Sequence, residues 1–272
     1  MQVRFQGVRG SIPVSGPRFA RTGGNTTTVL LEHDGERLIL DGGTGLAALG
    51  QEIGFAAVDT TVLFTHVHWD HIQGVPFFAP LFHPASKVTF AGARTSWGGI
   101  ADSLAAQMRP PQFPVGLDAF AAQLAFHDVD PHHPFEIGPF RVEAAEMSHP
   151  NGVLVYRVTA GGRSVVFATD VEHGDGIDRR LVEFAAGADL IIHDAQYTGR
   201  EYRGEAGPSR RGWGHSTWED AVEVCTLGGI ERLALFHHDP ARDDAGVEAI
   251  EAEARRHFAN AFAARESAVV VL

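Results

Sequence analysis

Thr65-His66-Val67-His68-Trp69-Asp70-His71 sets three imidazoles and a carboxylate within six residues, at the end of a run, 61–65, that reads as a strand. Nitrogen and oxygen donors of these kinds suit borderline divalent cations such as zinc. In an extended segment alternate side chains share a face, so His66 and His68 point the same way and can hold one ion. Once the chain turns, Asp70 and His71 face a second. The competing reading is a solvated polar turn that holds nothing.

Outward from this stretch, short β-branched runs bounded by glycine or charge predict further strands at 26–33, 37–40, 87–91, 140–145, 153–159, 163–168, 190–193, 232–236 and 268–272. Between them, Val247, Ile250, Ala254, Phe258 and Phe262 recur three and four apart and predict a helix over 243–262. Helices are also expected at 177–186 and 217–227, the second with Ser216 as N-cap and Glu219 completing a capping box. The strands come in two sets, each trailed by helices. That order predicts one α/β domain over 1–272, with two sheets packed face to face and helices outside. Residues 94–134 include Arg109-Pro-Pro-Gln-Phe-Pro and break the pattern. They read either as a lid or substrate-facing insertion or as a surface excursion.

The pattern His-x-His-x-Asp-His at 66–71 resembles the signature of the metallo-β-lactamase superfamily. The resemblance implies an αββα sandwich of two mixed β-sheets flanked by helices, with a two-metal site at its edge. It also implies the remaining ligands, which match in order at later strand ends: His149 in Ser-His-Pro, Asp170 in Phe-Ala-Thr-Asp, and His237 in Leu-Phe-His-His-Asp-Pro. By this match His66, His68 and His149 hold the first ion, Asp70, His71 and His237 the second, and Asp170 bridges them. His237 is preferred to His238 because it directly follows the apolar run. Asp41, in Leu-Asp-Gly-Gly-Thr-Gly, resembles the buried aspartate that orients a ligand imidazole. Two divalent ions are expected, zinc first, with manganese or iron as alternatives.

Within the superfamily, Gly214-His215-Ser216-Thr217 and His193-Asp194-Ala195 are similar to the branch that contains tRNA 3′-processing endonucleases and cyclic phosphodiesterases. That similarity implies His215 as general acid and Asp194 as its carboxylate partner, with aspartate in place of the branch's glutamate. Asp70 is expected to take a proton from the nucleophile as well as to bind metal. The loop 199–214 carries Arg200, Arg203, Arg210 and Arg211 with Tyr202 and Trp213, a set that could grip phosphate and stack on a base. A solvated loop is the competing reading. His68 stands where the redox relatives of the superfamily carry glutamate, which disfavours redox chemistry.

Composition narrows the partners. A net charge of −12 repels polyanions over long range, so a large nucleic acid is disfavoured and a small phosphodiester favoured. One cysteine, Cys225, allows no internal disulfide. The N-terminus has no basic segment followed by an apolar run, and no apolar stretch is long enough to span a bilayer. The expectation is a cytoplasmic protein without membrane attachment, with a homodimer left open. The expected reaction is hydrolysis of a small, cyclic-nucleotide-like phosphodiester by a metal-bound hydroxide. The alternatives are a thioester or lactone hydrolase on the same scaffold and a tRNA 3′-processing endonuclease.

Overall fold

Val29, Leu31, Leu38, Leu40 and Leu63 share one buried cluster, while their sequence neighbours Leu30, Ile39, Val62 and Phe64 fall in another. Side chains of a strand alternate between its two faces, so strands made of these residues are covered on both. The computed structural model, which describes residues 1–272, builds two sheets from such strands.

The first sheet contains β1 (Gln2–Gly7), β2 (Thr28–His33), β3 (Glu36–Leu40), β4 (Asp59–Phe64), β5 (Lys87–Ala93), β6 (Gln123–Val129) and β14 (Val269–Val271), in the order β14-β1-β2-β3-β4-β5-β6. The second contains β7 (Phe135–Ile137), β8 (Phe140–Met147), β9 (Val153–Ala160), β10 (Arg163–Ala168), β11 (Leu190–Asp194), β12 (Leu233–Phe236) and β13 (Ala261–Ala263), in that chain order from one edge to the other. Each sheet is mixed: β14-β1-β2-β3 and β7-β8-β9-β10 pair antiparallel, and the rest of each sheet is parallel.

Helices α1 (Thr44–Ile53), α2 (Trp69–Ile72) and α3 (Ile100–Gln107) belong with the first sheet. Helices α4 (Arg179–Ala185), α5 (Gly199–Tyr202), α6 (Trp218–Gly228) and α7 (Asp244–His257) belong with the second. Three apolar clusters fill the spaces: one between the sheets around Phe5, Phe167 and Phe236, and one under each helical layer. The αββα sandwich is the fold expected from the sequence. No helix is long and apolar enough to cross a membrane.

Several local expectations are corrected. The last helix ends at His257, not at 262; its final turn carries Arg255, Arg256 and His257, which suit the negative end of the helix dipole. Phe262 keeps the apolar spacing by chance, because it sits in β13, where its ring packs edge-on to Phe5. The N-cap of α6 is Thr217, not Ser216. Thr217 Oγ1 accepts from the Asp220 N–H, and Asp220 returns a bond to the Thr217 N–H. Both frames spell a capping box, but Ser216 Oγ is drawn off to the Val171 carbonyl and Glu219 to the Gly199 N–H. Residues 94–134 contain α3 and the whole of β6, which pairs along the full length of β5. Strands β1, β6, β7 and β13 join those expected.

Two bonds between the sheets fix where β4 ends. Tyr156 Oη donates to the Phe64 carbonyl at 2.7 Å, and the Leu154 N–H donates to the Thr65 carbonyl at 2.9 Å. The His66–His71 stretch therefore leaves β4 pinned against β9.

Candidate metal centre

The parallel strands deliver their C-terminal ends to one edge of the sandwich, where α/β sheets present ligand sites. Asp41 follows β3, His66 lies just past β4, Asp170 just past β10, Asp194 ends β11 and His237 follows β12. Asp41 (φ 59°), Asp170 (φ 54°) and His237 (φ 57°) take the left-handed backbone conformation. For residues with a Cβ this costs roughly 1–3 kcal/mol apiece, and here it turns each chain sharply at its strand end, beside the cluster.

The donor atoms form three overlapping sets that share the Asp170 carboxylate; the third joins Asp170 and His237 to Asp194 and His215, and the other two carry the residues expected to bind metal. His66, His68, His149 and Asp170 make the first, and Asp70, His71, Asp170 and His237 the second, with the atoms of each set within 4.8 Å of one another. Asp170 Oδ2 lies 3.6 Å from His66 Nε2 and 3.7 Å from His149 Nε2. Its Oδ1 lies 3.3 Å from His71 Nε2 and 3.1 Å from His237 Nε2. Asp70 Oδ2 closes the second set, 3.4 Å from His71 Nε2 and 3.1 Å from His237 Nε2. A tetrahedral ion with bonds of about 2.0–2.1 Å separates its ligands by about 3.3 Å, so these spacings suit one.

Each ring is turned inward by a bond on its far nitrogen. His71 Nδ1 donates to Asp41 Oδ2 at 2.8 Å, His237 Nδ1 to Gln196 Oε1 at 2.8 Å and His149 Nδ1 to the Gly214 carbonyl at 2.7 Å. His66 Nδ1 meets the Thr65 hydroxyl at 3.1 Å. His68 is reversed: Asn151 Nδ2 holds its Nε2 at 3.2 Å, and its Nδ1 faces His149 Nε2 at 2.9 Å. The acceptors on His71, His237 and His149 fix the tautomer that leaves a lone pair on Nε2 for metal.

Two atoms test the fit of a cation. His66 Nε2 and His71 Nε2 are buried with no hydrogen-bond partner. An orphaned buried polar atom costs about 1–3 kcal/mol, and a divalent ion would relieve both. Charge agrees. Burial pushes the His66 imidazole well below its ordinary range and His68 down to about 4, so both rings are neutral. Burial alone would raise Asp170, but His237 and His71 hold it well below the usual carboxylate range. His71 and His237 do the same for Asp70. His71 is raised despite its burial by Asp170, Asp70 and Asp41, three carboxylates whose negative charge a divalent ion would balance.

His215 stands beside the shared carboxylate. Its Nδ1 donates to Asp194 Oδ2 at 2.8 Å, and its ring stacks on His237 with centroids 5.0 Å apart. The aspartate reaches although it is shorter than glutamate, because β11 runs on to Asp194 itself. Burial pushes the His215 imidazole down, but Asp194, by charge and hydrogen bond, with Asp170 and Asp70 behind it, brings it up to about 9. With Nδ1 engaged, Nε2 is the nitrogen free to give a proton.

His237 enters the cluster, while the neighbouring His238 turns away and donates to the Ala264 carbonyl at 3.0 Å. The four arginines of the 199–214 loop do not converge on the centre, because acidic neighbours claim three of them. Arg203 and Arg200 reach Glu205 at 2.7 and 4.0 Å, and Arg211 reaches Asp175 at 2.7 Å. Arg210 leans over the rings of Trp213, at 4.4 Å, and Tyr197, at 5.8 Å; the Tyr197 ring is 5.9 Å from that of His215.

Four supporting groups were not legible beforehand: Gln196 on His237, Asn151 on His68, Ser11, whose N–H donates to Asp70 Oδ2 at 2.7 Å, and Glu172. Glu172 accepts from the Gly212 and Gly214 N–H groups, each at 2.7 Å, and from Tyr202 Oη at 2.6 Å, which ties down the loop leading to His215. Isolated polar residues far apart in sequence carry no pattern that would have singled them out.

Comparison with known proteins agrees with this geometry. The profile of the Beta-lactamase superfamily domain matches residues 36–238. Ribonuclease Z of Natronomonas pharaonis is 25% identical, over 87% of this chain and 86% of the relative. Ribonuclease Z of Gemmatimonas aurantiaca is 26% identical, over 99% of this chain and 95% of the relative. Among solved structures, zinc-bound PqqB of Methylobacterium extorquens superposes with a TM-score of 0.75 at 15% identity, covering 100% of both chains. YhfI of Bacillus subtilis gives 0.72 at 19% identity, covering 99% of this chain and 98% of the other. A diphosphatase from the PhnP family gives 0.70 at 18% identity, covering 100% and 97%. At these identities the superpositions speak for the fold.

Proposed function

Because the chain belongs to the β-lactamase superfamily of metal-dependent hydrolases, we propose that it is a phosphodiesterase that acts on a small phosphodiester, of the cyclic-nucleotide kind, with two divalent ions, zinc first. The observation that carries this reading is the His215–Asp194 pair, bonded at 2.8 Å beside the shared Asp170. A thioester expels a thiolate, which is stable without a proton, whereas an alkoxide leaving phosphorus needs one.

His66, His68 and His149 would hold one ion, Asp70, His71 and His237 the other, and Asp170 both. Bound there, the ions would supply an activated water and neutralise charge on the phosphoryl oxygens. The protein's own part is to keep the rings in register through Asp41, Gln196 and Gly214 and to hold a proton at His215 Nε2 for the leaving oxygen. Asp194 keeps His215 protonated near neutral pH. Asp70, hydrogen-bonded by the Ser11 N–H, is positioned to accept a proton from the nucleophile. Arg210 leans over Tyr197, whose ring is 5.9 Å from that of His215.

Turnover of a phosphodiester within a tRNA precursor is the second reading, favoured by the names of the two relatives. It uses the same residues. Against it stand the net charge of −12 and the size of the chain. The alignment to the Gemmatimonas relative has 318 positions against 272 residues here, so at least 46 positions (318 − 272) are filled by the relative alone. An extended RNA-gripping arm would need residues of that sort.

The test is elemental analysis of the purified protein, with turnover of bis(p-nitrophenyl) phosphate and of a cyclic nucleotide measured beside a thioester, a lactone, a cephalosporin and a tRNA precursor. Metal-dependent turnover of both diesters is the expected result, with the cyclic nucleotide, whose leaving group is an alkoxide, falling at least about tenfold in His215→Ala and the nitrophenyl diester, whose nitrophenolate leaves without a proton, falling less. An inert diester with rapid thioester or lactone turnover, unaffected by His215→Ala, would overturn it.

A further inference from the structure

Three of the four tryptophans are exposed, Trp69 at 66%, Trp97 at 72% and Trp213 at 52%, and each lies in a segment bordering the donor cluster. Trp213 is covered by the guanidinium of Arg210. No ring or cation stacks on Trp97. Its backbone lies on a turn closed by reciprocal bonds between Thr95 and Gly98, at 2.8 and 3.2 Å. Its own N–H donates to Thr95 Oγ1 at 3.2 Å. A large ring left bare to water beside a reaction centre gains its contact area only when something lies on it.

The space beside it is a cavity of about 380 Å³, with His66 and His68 among its lining residues and Trp97 another. That volume lies in the range of small-molecule sites. The lining also includes Val67, Met147 and Leu154, the last two almost wholly buried. Its charges argue against a second phosphate. Arg94, the one cation of the lining, is bound through both Nε and Nη2 by Asp128, at 2.8 and 2.7 Å. Glu146, on the same lining, faces it without a basic partner. The lining thus joins apolar side chains and the Trp97 ring to polar groups, Glu146, Thr95 and Asn151 among them, and suits a flat, neutral, N–H-bearing heterocycle.

We propose that this cavity is a nucleobase subsite: the base of the nucleotide whose phosphodiester is cleaved stacks on Trp97 while the phosphate lies at the His66/His68 end. The proposal rests on the phosphodiesterase reading and adds to it the chemical group that sets specificity. Residues 94–134 then contribute the specificity-determining ring through the turn at 95–98. Stacking of a base on an aromatic side chain is worth roughly five- to 150-fold in affinity.

The test is calorimetric binding of AMP and of ribose 5-phosphate, which has the same phosphate and sugar but no base, to the metal-loaded protein, its Trp97→Ala variant and its Trp97→Phe variant. The expected result is that the wild type prefers AMP by about tenfold, Trp97→Phe keeps most of that preference and Trp97→Ala brings the two ligands within about twofold. A preference unchanged in Trp97→Ala, or none in the wild type, overturns the subsite. Turnover of bis(p-nitrophenyl) phosphate separates the two levels. If the diester is cleaved but AMP is not preferred, the subsite fails and the phosphodiesterase reading stands; if the diester is inert and neither ligand binds, both fail.

Discussion

Asp41 Oδ2 lies 2.8 Å from His71 Nδ1, with both side chains completely buried. The same carboxylate accepts from the Thr65 N–H at 2.8 Å and the Thr65 hydroxyl at 2.9 Å, so one residue after β3 fixes both the start of the histidine stretch and the ring near its end. Asp41→Asn replaces an acceptor with an NH₂ that one of these donors must then face. The expected outcome is metal affinity weakened about 10- to 100-fold, read by competition with a chromogenic chelator. Unchanged affinity would show that the His71 tautomer is set by something else.

Gln196 does the equivalent work for His237, and its Nε2 in turn donates to Tyr197 Oη at 3.0 Å. Gln196→Leu keeps the bulk and removes the acceptor. His237 is absent from the set of His66, His68 and His149, so the ion between Asp70, His71 and His237 should be lost first. Elemental analysis after dialysis should find the metal content falling by about one ion per chain, as a missing orienting bond weakens a site by about 10- to 100-fold. Equal loss from both sets would contradict the division at Asp170.

At Gly10 the backbone passes so close to His237 that an added Cβ would fall 2.5 Å from the imidazole and 2.7 Å from Gln196 Oε1. Gly10→Ala should therefore displace the ring, lower metal content and cost roughly 1–3 kcal/mol of stability as overpacking does. Gly176, where an added Cβ meets nothing within 4 Å, is the control, and its alanine variant should be near neutral. Urea unfolding of the two variants makes the comparison. A well-folded Gly10→Ala with full metal content would mean that the turn yields without consequence.

His193 is completely buried, and burial together with the nearby His173 lowers its pKa to about 4. Its unfolded value is about 6.5, so above that pH neither state binds the proton. As pH falls from about 6.5 towards about 4, the unfolded chain takes up a proton that the folded chain refuses, and stability drops by up to about 1.4 kcal/mol per pH unit. His193→Asn, which can still donate to the Asp194 carbonyl, should make that acid limb shallower by one proton's share, leaving the share of His66 and His68 in place. The check is the difference in urea midpoint between about pH 7.5 and about pH 5, with chelator present in both proteins so that metal loss does not contribute. An undiminished acid limb in the variant would place the sensitive group elsewhere.

What the sequence by itself determined is local and periodic. The imidazoles of 66–71 stand where an extended run gives way to a turn, and that much is written in the alternation of Val62, Phe64 and their neighbours. Even β1 was legible in principle, since Val3 and Phe5 alternate with polar residues. Order along the chain then brought His149, Asp170, His215 and His237 into view through a family resemblance. Only the tertiary structure decided how these pieces meet. Asp170 came to lie between two donor sets because β4, β10 and β12, from two different sheets, end at one edge. Thr217 displaced Ser216 as the N-cap because a carbonyl from another segment, that of Val171, claimed the serine. Arg200, Arg203 and Arg211 were drawn from the centre by Glu205 and Asp175, and Trp97 was brought to the cavity that His68 also lines by a turn some thirty residues away in sequence. Periodicity reports which face of an element is buried, because burial acts on each residue in turn. It cannot report which polar partner a side chain meets, because that is fixed by where separate elements stop when their apolar faces pack.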